Sequence, residues 1–291
     1  MNNNIRTVIS KEELYPKRLL EIKKYPENIF AIGNLELLNT KNIVGIVGSR
    51  KCTEYGRKVA FSFAKELSKN GICIVSGMAI GIDTAAHDGA IEEKGKTIAI
   101  LGSGLNCIYP KENEWLFNKI LKNDGCILSE YAINEKASMK NFPKRNKIIS
   151  GLSDIILVVE AAYRSGSTIT ARYAKEQKKM VCAIPSNIDS NTGTGTNRLL
   201  QQGAKLITNP NEIIELLKNR EDNNGYKEMI PEEYLNVYKL LEKCDSIHIN
   251  ELAKKLKTTV YEITPMLTIM EIEGYIIQKP SNYFRKRNKN V

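Results

Sequence analysis

The sequence predicts an α/β protein built on a doubly wound, mostly parallel sheet, with a small second domain behind it. Three observations lead there. Apolar runs recur at 43–48, 72–76, 97–102, 126–129, 155–159 and 180–184. Helical patterns lie between most of them; the clearest is 56–70, where Val59, Phe63 and Leu67 repeat every fourth residue beside Ala60 and Ala64. A polar stretch without period, 218–230, then separates this alternation from a different pattern of short helices and a hairpin.

Taken in order, residues 1–40 precede the first expected sheet strand and form an N-terminal extension. Strand and helix then alternate through 41–217, which predicts right-handed crossovers and helices on both faces of the sheet. Buried on both faces, such strands read as near-continuous apolar runs. Ligands of these sheets bind beyond the carboxyl ends of the strands, where the glycine-rich turns fall. Residues 218–230 read as a linker. In 231–285, helical patterns near 232–243, 249–257 and 259–273 precede a strand pair at 275–277 and 283–285, turning at Lys279-Pro280-Ser281-Asn282. Three helices and a hairpin match a winged-helix domain. Residues 286–291 form a basic tail.

The chain has 291 residues, with 43 Lys and Arg against 33 Asp and Glu, a formal charge of +10. That balance favours a polyanionic partner. Six cysteines, at 52, 73, 107, 126, 182 and 244, include no C-x-x-C pair, and several sit inside apolar strands. They read as reduced, buried thiols of a cytoplasmic protein. Two histidines make a Cys/His metal site improbable. No apolar run reaches the roughly 18 residues of a membrane span, and the start carries no signal-peptide pattern.

Strand one ends in Gly48-Ser49-Arg50, which places a permanent cation where an anion would lie. The turn is not G-x-G-x-x-G. Strand two ends in Ser76-Gly77 without an acidic residue for a ribose, so a nicotinamide cofactor is not expected. Asp83 reads as the N-cap of the next helix, and His87 as structural, since it lacks triad partners. Gly95-Lys96-Thr97 is no P-loop, because the earlier glycine is Ala90 and a strand follows. Ser165-Gly166-Ser167-Thr168 at a helix start offers a phosphate nest. Lys144-Arg145-Asn146-Lys147 precedes the strand that leads there and is expected on the same sheet edge. Lys140-Asn141-Phe142-Pro143 reads as a loop, and Phe142 is either core or a ring for stacking a base. Gly193-Thr194-Gly195-Thr196-Asn197 reads as a flexible turn. The expected recognition helix, 259–273, has no Lys or Arg, which argues against operator reading. Together the residues describe a binder of single-stranded nucleic acid, with no catalytic or metal-ligating set. Its expected contacts are Gly48, Ser49, Arg50, Ser76, Gly77, Lys140, Phe142, Lys144, Arg145, Asn146, Lys147, Ser165, Gly166, Ser167 and Thr168.

With these stretches, and with Thr53, Tyr55, Gly56, residues 78–83, Ala86-His87, Tyr109-Pro110, Ser129-Glu130-Tyr131 and 193–197, the chain resembles the DNA-processing protein A family (DprA/Smf) over roughly 10–285. The resemblance implies an extended Rossmann-like fold and a homodimer. It further implies single-stranded DNA binding, RecA loading during natural transformation, contact with single-strand-binding protein, no cofactor and no enzymatic activity. By position, Arg50 resembles the family's phosphate-binding arginine, Phe142 the aromatic that meets a base, and Lys140, Arg145 and Lys147 its basic rim. Lys147 stands where arginine is common, which keeps charge but loses the bidentate fork. The family's N-terminal helical domain is expected to be reduced to its end, at Tyr15-Pro16 and Gly33-Asn34, and a winged helix occurs in some members only.

Two other functions compete. A nucleoside-monophosphate hydrolase of the lysine-decarboxylase-like type needs a glutamate after its glycine-rich turn, where this chain has Ile169, Thr170 and Ala171. A ligand-sensing transcription factor needs a basic recognition helix. On the leading reading, Arg50→Ala and Arg145→Ala should each weaken binding while leaving the fold intact.

Overall fold

In the computed structural model, which describes residues 5–224, 232–241, 244, 246–273 and 275–286, the chain divides into two units, Met1–Lys218 and Asn219–Val291. The first begins β1 (Arg6–Ile9), α1 (Lys17–Leu20), β2 (Asn28–Gly33), β3 (Ile43–Val47), α2 (Glu54–Lys69), β4 (Cys73–Ser76), α3 (Ile82–Glu92), β5 (Thr97–Ile100), α4 (Glu114–Lys122) and β6 (Cys126–Ser129). It continues with α5 (Asn141–Leu152), β7 (Ile155–Val158), α6 (Gly166–Glu176), β8 (Met180–Ala183), α7 (Thr194–Gln201), β9 (Lys205–Leu206) and the greater part of α8 (Pro210–Asn224).

These strands form one sheet in the order β1-β2-β6-β5-β4-β3-β7-β8-β9. From β6 to β9 every pairing is parallel. Alternate residues feed two apolar layers, as the period of a strand requires. Val47, Val75, Ile156 and Val158 face one set of helices. Ile46, Ile74, Ile155 and Leu157 face the other. The chain leaves β3 toward β4, β5 and β6 on one side and returns to β7, β8 and β9 on the other. The connections after β3 and β7 therefore diverge, which opens a crevice at their carboxyl ends.

Two expectations need correction. Residues 1–40 do not simply precede the sheet: β2 pairs antiparallel with β6, and β1 with β2. β1 buries only Val8 of its four residues, so it carries no continuous apolar run to announce it. Between the two strands, Tyr15, Leu19 and Ile22 pack into the same apolar layer as Ile148, Ile149 and Leu152 of α5. The linker is also shorter than expected, because α8 continues to Asn224; residues 225–230 lie outside the described residues. Lys218, Arg220 and Glu221 are good helix formers, and polarity alone did not end the helix.

The second unit holds a 3-10 turn (Glu232–Tyr234), α9 (Leu235–Leu241), β10 (Ile247–His248), α10 (Ile249–Leu256), α11 (Val260–Ile272), β11 (Ile276–Lys279) and β12 (Tyr283–Lys286). Its strands pair antiparallel in the order β10-β12-β11. Val237, Leu241, Leu252, Ile263, Leu267, Ile276 and Phe284 share its core. Thr259 and Glu262 form a capping box at the start of α11. Of the expected basic tail, Lys286 belongs to β12 and residues 287–291 lie outside the described residues.

His87 is fully buried in α3, with Nδ1 2.7 Å from the Thr97 hydroxyl. That hydroxyl donates to the Ile74 carbonyl, so Nδ1 carries the proton and the ring is neutral. Burial, with the nearby Arg145 charge, pushes its pKa down to about 3. The unfolded chain therefore takes up a proton near pH 6.5 that the folded protein refuses until about pH 3. Stability falls as pH drops through that window, by about 2 kcal/mol between pH 7 and pH 5. Urea unfolding at the two pH values should show this drop, and His87→Asn should lose it.

Candidate nucleic-acid interface

The crevice is lined first by the turn after β3. Thr53 caps α2, its hydroxyl accepting the Gly56 N–H at 3.1 Å and donating to Glu160 Oε1 at 2.9 Å. Glu160, buried just beyond β7, also accepts the Thr53 N–H at 2.8 Å and the Thr192 hydroxyl at 2.8 Å. One carboxylate thus ties together the turn after β3, the end of β7 and the loop after β8. Ser49 is held by its N–H to the Glu160 carbonyl at 2.7 Å. Arg50 is left exposed beside it.

Asn141–Leu152 is a helix, so Phe142 lies in its first turn and not in the loop expected. Pro143 is tolerated there because first-turn N–H groups have no intrahelical partner. The helix decides which cations face the crevice. Phe142, Arg145, Asn146 and Ile149 fall at i, i+3, i+4 and i+7 on one face, and all four line it. Lys144 is exposed away from that face. Lys147 reaches the carbonyls of Lys23 and, at 3.1 Å, Lys24. Lys147 anchors the N-terminal segment and leaves the expected basic rim.

Arg145 is buried, 4% exposed. Its guanidinium donates to the carbonyls of Gly77 and Ile100, which follow β4 and end β5. Its Nε donates to Asn146 Oδ1 at 3.1 Å. Gly77 is glycine because a Cβ there would strike that guanidinium. Gly81 has φ of +92° and caps α3 against the Ser49 carbonyl. Asp83 is accordingly not the N-cap expected: from the first turn of α3 its Oδ2 accepts N–H groups of Gly77 at 3.2 Å and Ala79 at 3.4 Å. Burial raises the Asp83 pKa, while Arg145 and these bonds oppose the rise. Burial lowers that of Arg145 to about 10, with Asp83 opposing, so Arg145 is a cation at neutral pH.

Across the crevice, Ser165 caps α6 by accepting the Thr168 N–H at 3.4 Å. The N–H groups of Gly166 and Ser167 have no intrahelical partner. Asn146 Nδ2 donates to the Gly166 carbonyl at 3.0 Å, joining α5 to α6. The Arg50 guanidinium lies 4.9 Å from the centroid of the Phe142 ring, and the exposed Tyr109 ring lies 5.4 Å from it. The enclosed space is about 590 Å³.

Of the residues expected to form the site, Gly48, Ser49, Arg50, Phe142, Arg145, Asn146, Ser165, Gly166 and Ser167 meet around this space. The others do not line it. Ser76 is buried and donates to the Ile46 carbonyl at 2.6 Å. Gly77 lies behind Arg145, Lys140 is exposed outside the crevice, and the Thr168 hydroxyl closes on the Ser165 carbonyl at 2.7 Å. Lys51, Asp83, Met139, Asn191 and Thr192 are among the polar, charged and exposed apolar lining residues that were not expected, beside the backbone and smaller groups of the same walls. The helical repeat from Phe142 to Ile149 was the signal that separates Arg145 from Lys147. Residues 194–197, read as a flexible turn, begin α7, with Asn197 Nδ2 bonded to the Ser186 carbonyl at 2.8 Å.

With this geometry in place, the model of the family described as DNA recombination-mediator protein A matches residues 6–218. The chain belongs to that family. Protein Smf of Escherichia coli is 36% identical over 98% of this chain and 78% of its own length. DNA processing protein DprA of Streptococcus pneumoniae is 43% identical over 70% of this chain and 71% of its own. An X-ray structure of the latter superposes with a TM-score of 0.69 at 41% identity, covering 73% of this chain and 74% of that one. DNA processing protein A from Helicobacter pylori, whose structure is described as giving insight into a unique single-stranded DNA binding mode, superposes at 0.68 with 32% identity. It covers 75% of this chain and 98% of that one.

For this family member, burial changes what Arg145→Ala should do. Removing the guanidinium strands two carbonyls and the Asp83 charge, and should cost about 3 kcal/mol of stability, against the sequence-based expectation of an intact fold. Lys147→Ala should loosen the N-terminal segment yet leave affinity for oligonucleotides within about twofold, since its side chain is spent on the Lys23 and Lys24 carbonyls and does not line the crevice. Urea unfolding and oligo-dT binding, run on both variants, separate the two roles.

Proposed function

We propose that this protein binds single-stranded DNA in the crevice between β3 and β7, without cutting or modifying it, and hands it to the RecA recombinase. The observation that carries the reading is Arg50 resting on Phe142 above a buried Arg145, opposite the open N-terminus of α6. An exposed guanidinium and free helix-end N–H groups suit phosphates. A ring at the edge of the same space suits an unpaired base, whatever its identity.

The family's description as recombination mediators supports delivery to a recombinase, and the relatives' names support DNA as the ligand. We extend the reading to a homodimer in the cytoplasm that acts in natural transformation or recombination alongside single-strand-binding protein. No helix among the described residues is long and apolar enough to cross a membrane. A non-enzymatic role is supported by the occupation of the nearby carboxylates. Asp83 is held by two N–H groups facing Arg145, and Glu160 by three donors. The hydrolase alternative still lacks its glutamate after Thr168. We also read the second unit as a winged helix. Its α11 exposes Tyr261, Thr264, Thr268 and Ile272 without a cation, which favours a protein contact over base reading.

Fluorescence anisotropy with labelled oligo-dT tests the reading. Arg50→Ala should weaken binding roughly ten- to a hundredfold, as loss of a charged hydrogen bond does. It should also reduce the slope of log K against log salt by about 0.7. Phe142→Ala should weaken binding while Phe142→Tyr preserves it. If Arg50→Ala binds as tightly as the parent at moderate salt, the crevice is not the DNA site.

A further inference from the structure

Tyr163 lies in the connection between β7 and α6, between Ala162 and Ser165, both of which line the crevice. It is 47% exposed. Two guanidiniums rest on its ring. Arg164 lies 5.7 Å from the ring centroid and Arg198, from α7, lies 4.5 Å away. Neither has a carboxylate partner among the described residues.

That last point sets this cluster apart. Arg172 rests on Tyr173 but is compensated by Glu176 at 3.6 Å, and Lys119 rests on Trp115 but is compensated by Asp88 at 2.6 Å. At Tyr163 two like charges share one ring with no anion beside them. An exposed cation–ring contact contributes only about 0.5–1 kcal/mol, so their mutual repulsion is left for something else to relieve. Arg50 on Phe142 has the same character, a cation on a ring without a carboxylate. The two clusters flank the crevice, one on the wall made by α5 and the other beside the start of α6.

We propose that Tyr163, Arg164 and Arg198 form a second station for the same single strand, just outside the crevice. A base of the departing strand lies on the Tyr163 ring and its flanking phosphates take the two guanidiniums. The inference rests on the reading of the crevice as a single-strand site and extends it. A short oligonucleotide fills the crevice alone, whereas a longer one also engages Tyr163.

Anisotropy with the full chain and two oligo-dT lengths, about 6 and about 15 nucleotides, bracketing common site sizes, tests the extension. Tyr163→Ala should weaken the longer oligonucleotide roughly five- to a hundredfold, the share of one stacked base, and leave the shorter unchanged. Tyr163→Phe should bind as the parent. Arg164→Ala with Arg198→Ala should lower the salt slope by about 1.4 on the longer strand only. All three side chains are exposed, and matching urea midpoints verify folding of each variant. If Tyr163→Ala binds the longer strand as tightly as the parent does, the second station is overturned, and so it is by an equal loss on both lengths. Arg50→Ala, run in parallel, separates the two readings: if it weakens both lengths while Tyr163→Ala weakens neither, the crevice stands and its extension falls.

Discussion

The buried guanidinium of Arg145 is the contact on which the crevice depends. It bonds the chain at Gly77 and Ile100, just past β4 and at the end of β5, and so fixes two strand exits from the opposite side of the sheet. Because Asp83 holds the N–H of the same Gly77, the start of α3 is locked to the position of α5. A cation in this place has to be arginine. A lysine ammonium has no planar fork with which to serve two carbonyls and Asn146 together. The cost of burying its charge is offset by these acceptors and by the facing carboxylate.

Glu160 does for the other wall what Arg145 does for the floor. Three donors from two loops converge on its carboxylate, so the turns after β3 and β8 are set relative to β7. Between these anchors the exposed groups are arranged by charge: Arg50 and Lys51 after β3, open N–H groups at α6, and carboxylates withdrawn into hydrogen bonds. These cations and open N–H groups gather where a parallel sheet changes direction.

Much of this was legible in the residues. The six apolar runs became the core strands because burial on both faces leaves no alternation to confuse with helix. The turn residues Gly48-Ser49-Arg50 and the helix start at Ser165 were readable for another reason: each needs a particular local geometry. The failures have physical causes too. β1 is an antiparallel edge strand of mixed polarity, and the short apolar run of β2, Ile29-Phe30-Ala31-Ile32, pairs antiparallel on both sides, outside the strand–helix alternation that marks the central runs. In α5 a proline and a run of cations hid a helical repeat, so Arg145 and Lys147 were assigned to one rim although two positions along a helix point them apart. Thr192 and Glu160 meet only through the fold; no local pattern joins residues 32 positions apart in the connections after two different strands.

The stacking of Arg50 on Phe142 has a consequence for how a ligand arrives. Two side chains that would otherwise sample many rotamers restrain one another in the empty protein. Immobilising such a side chain at an interface ordinarily costs about 0.5–1.5 kcal/mol. Here that loss of freedom was met when the chain folded, and an incoming base can exchange for the guanidinium on the ring while a phosphate receives it. The aromatic wall is thus partly ordered before it is used, and encounter need not wait for it to form.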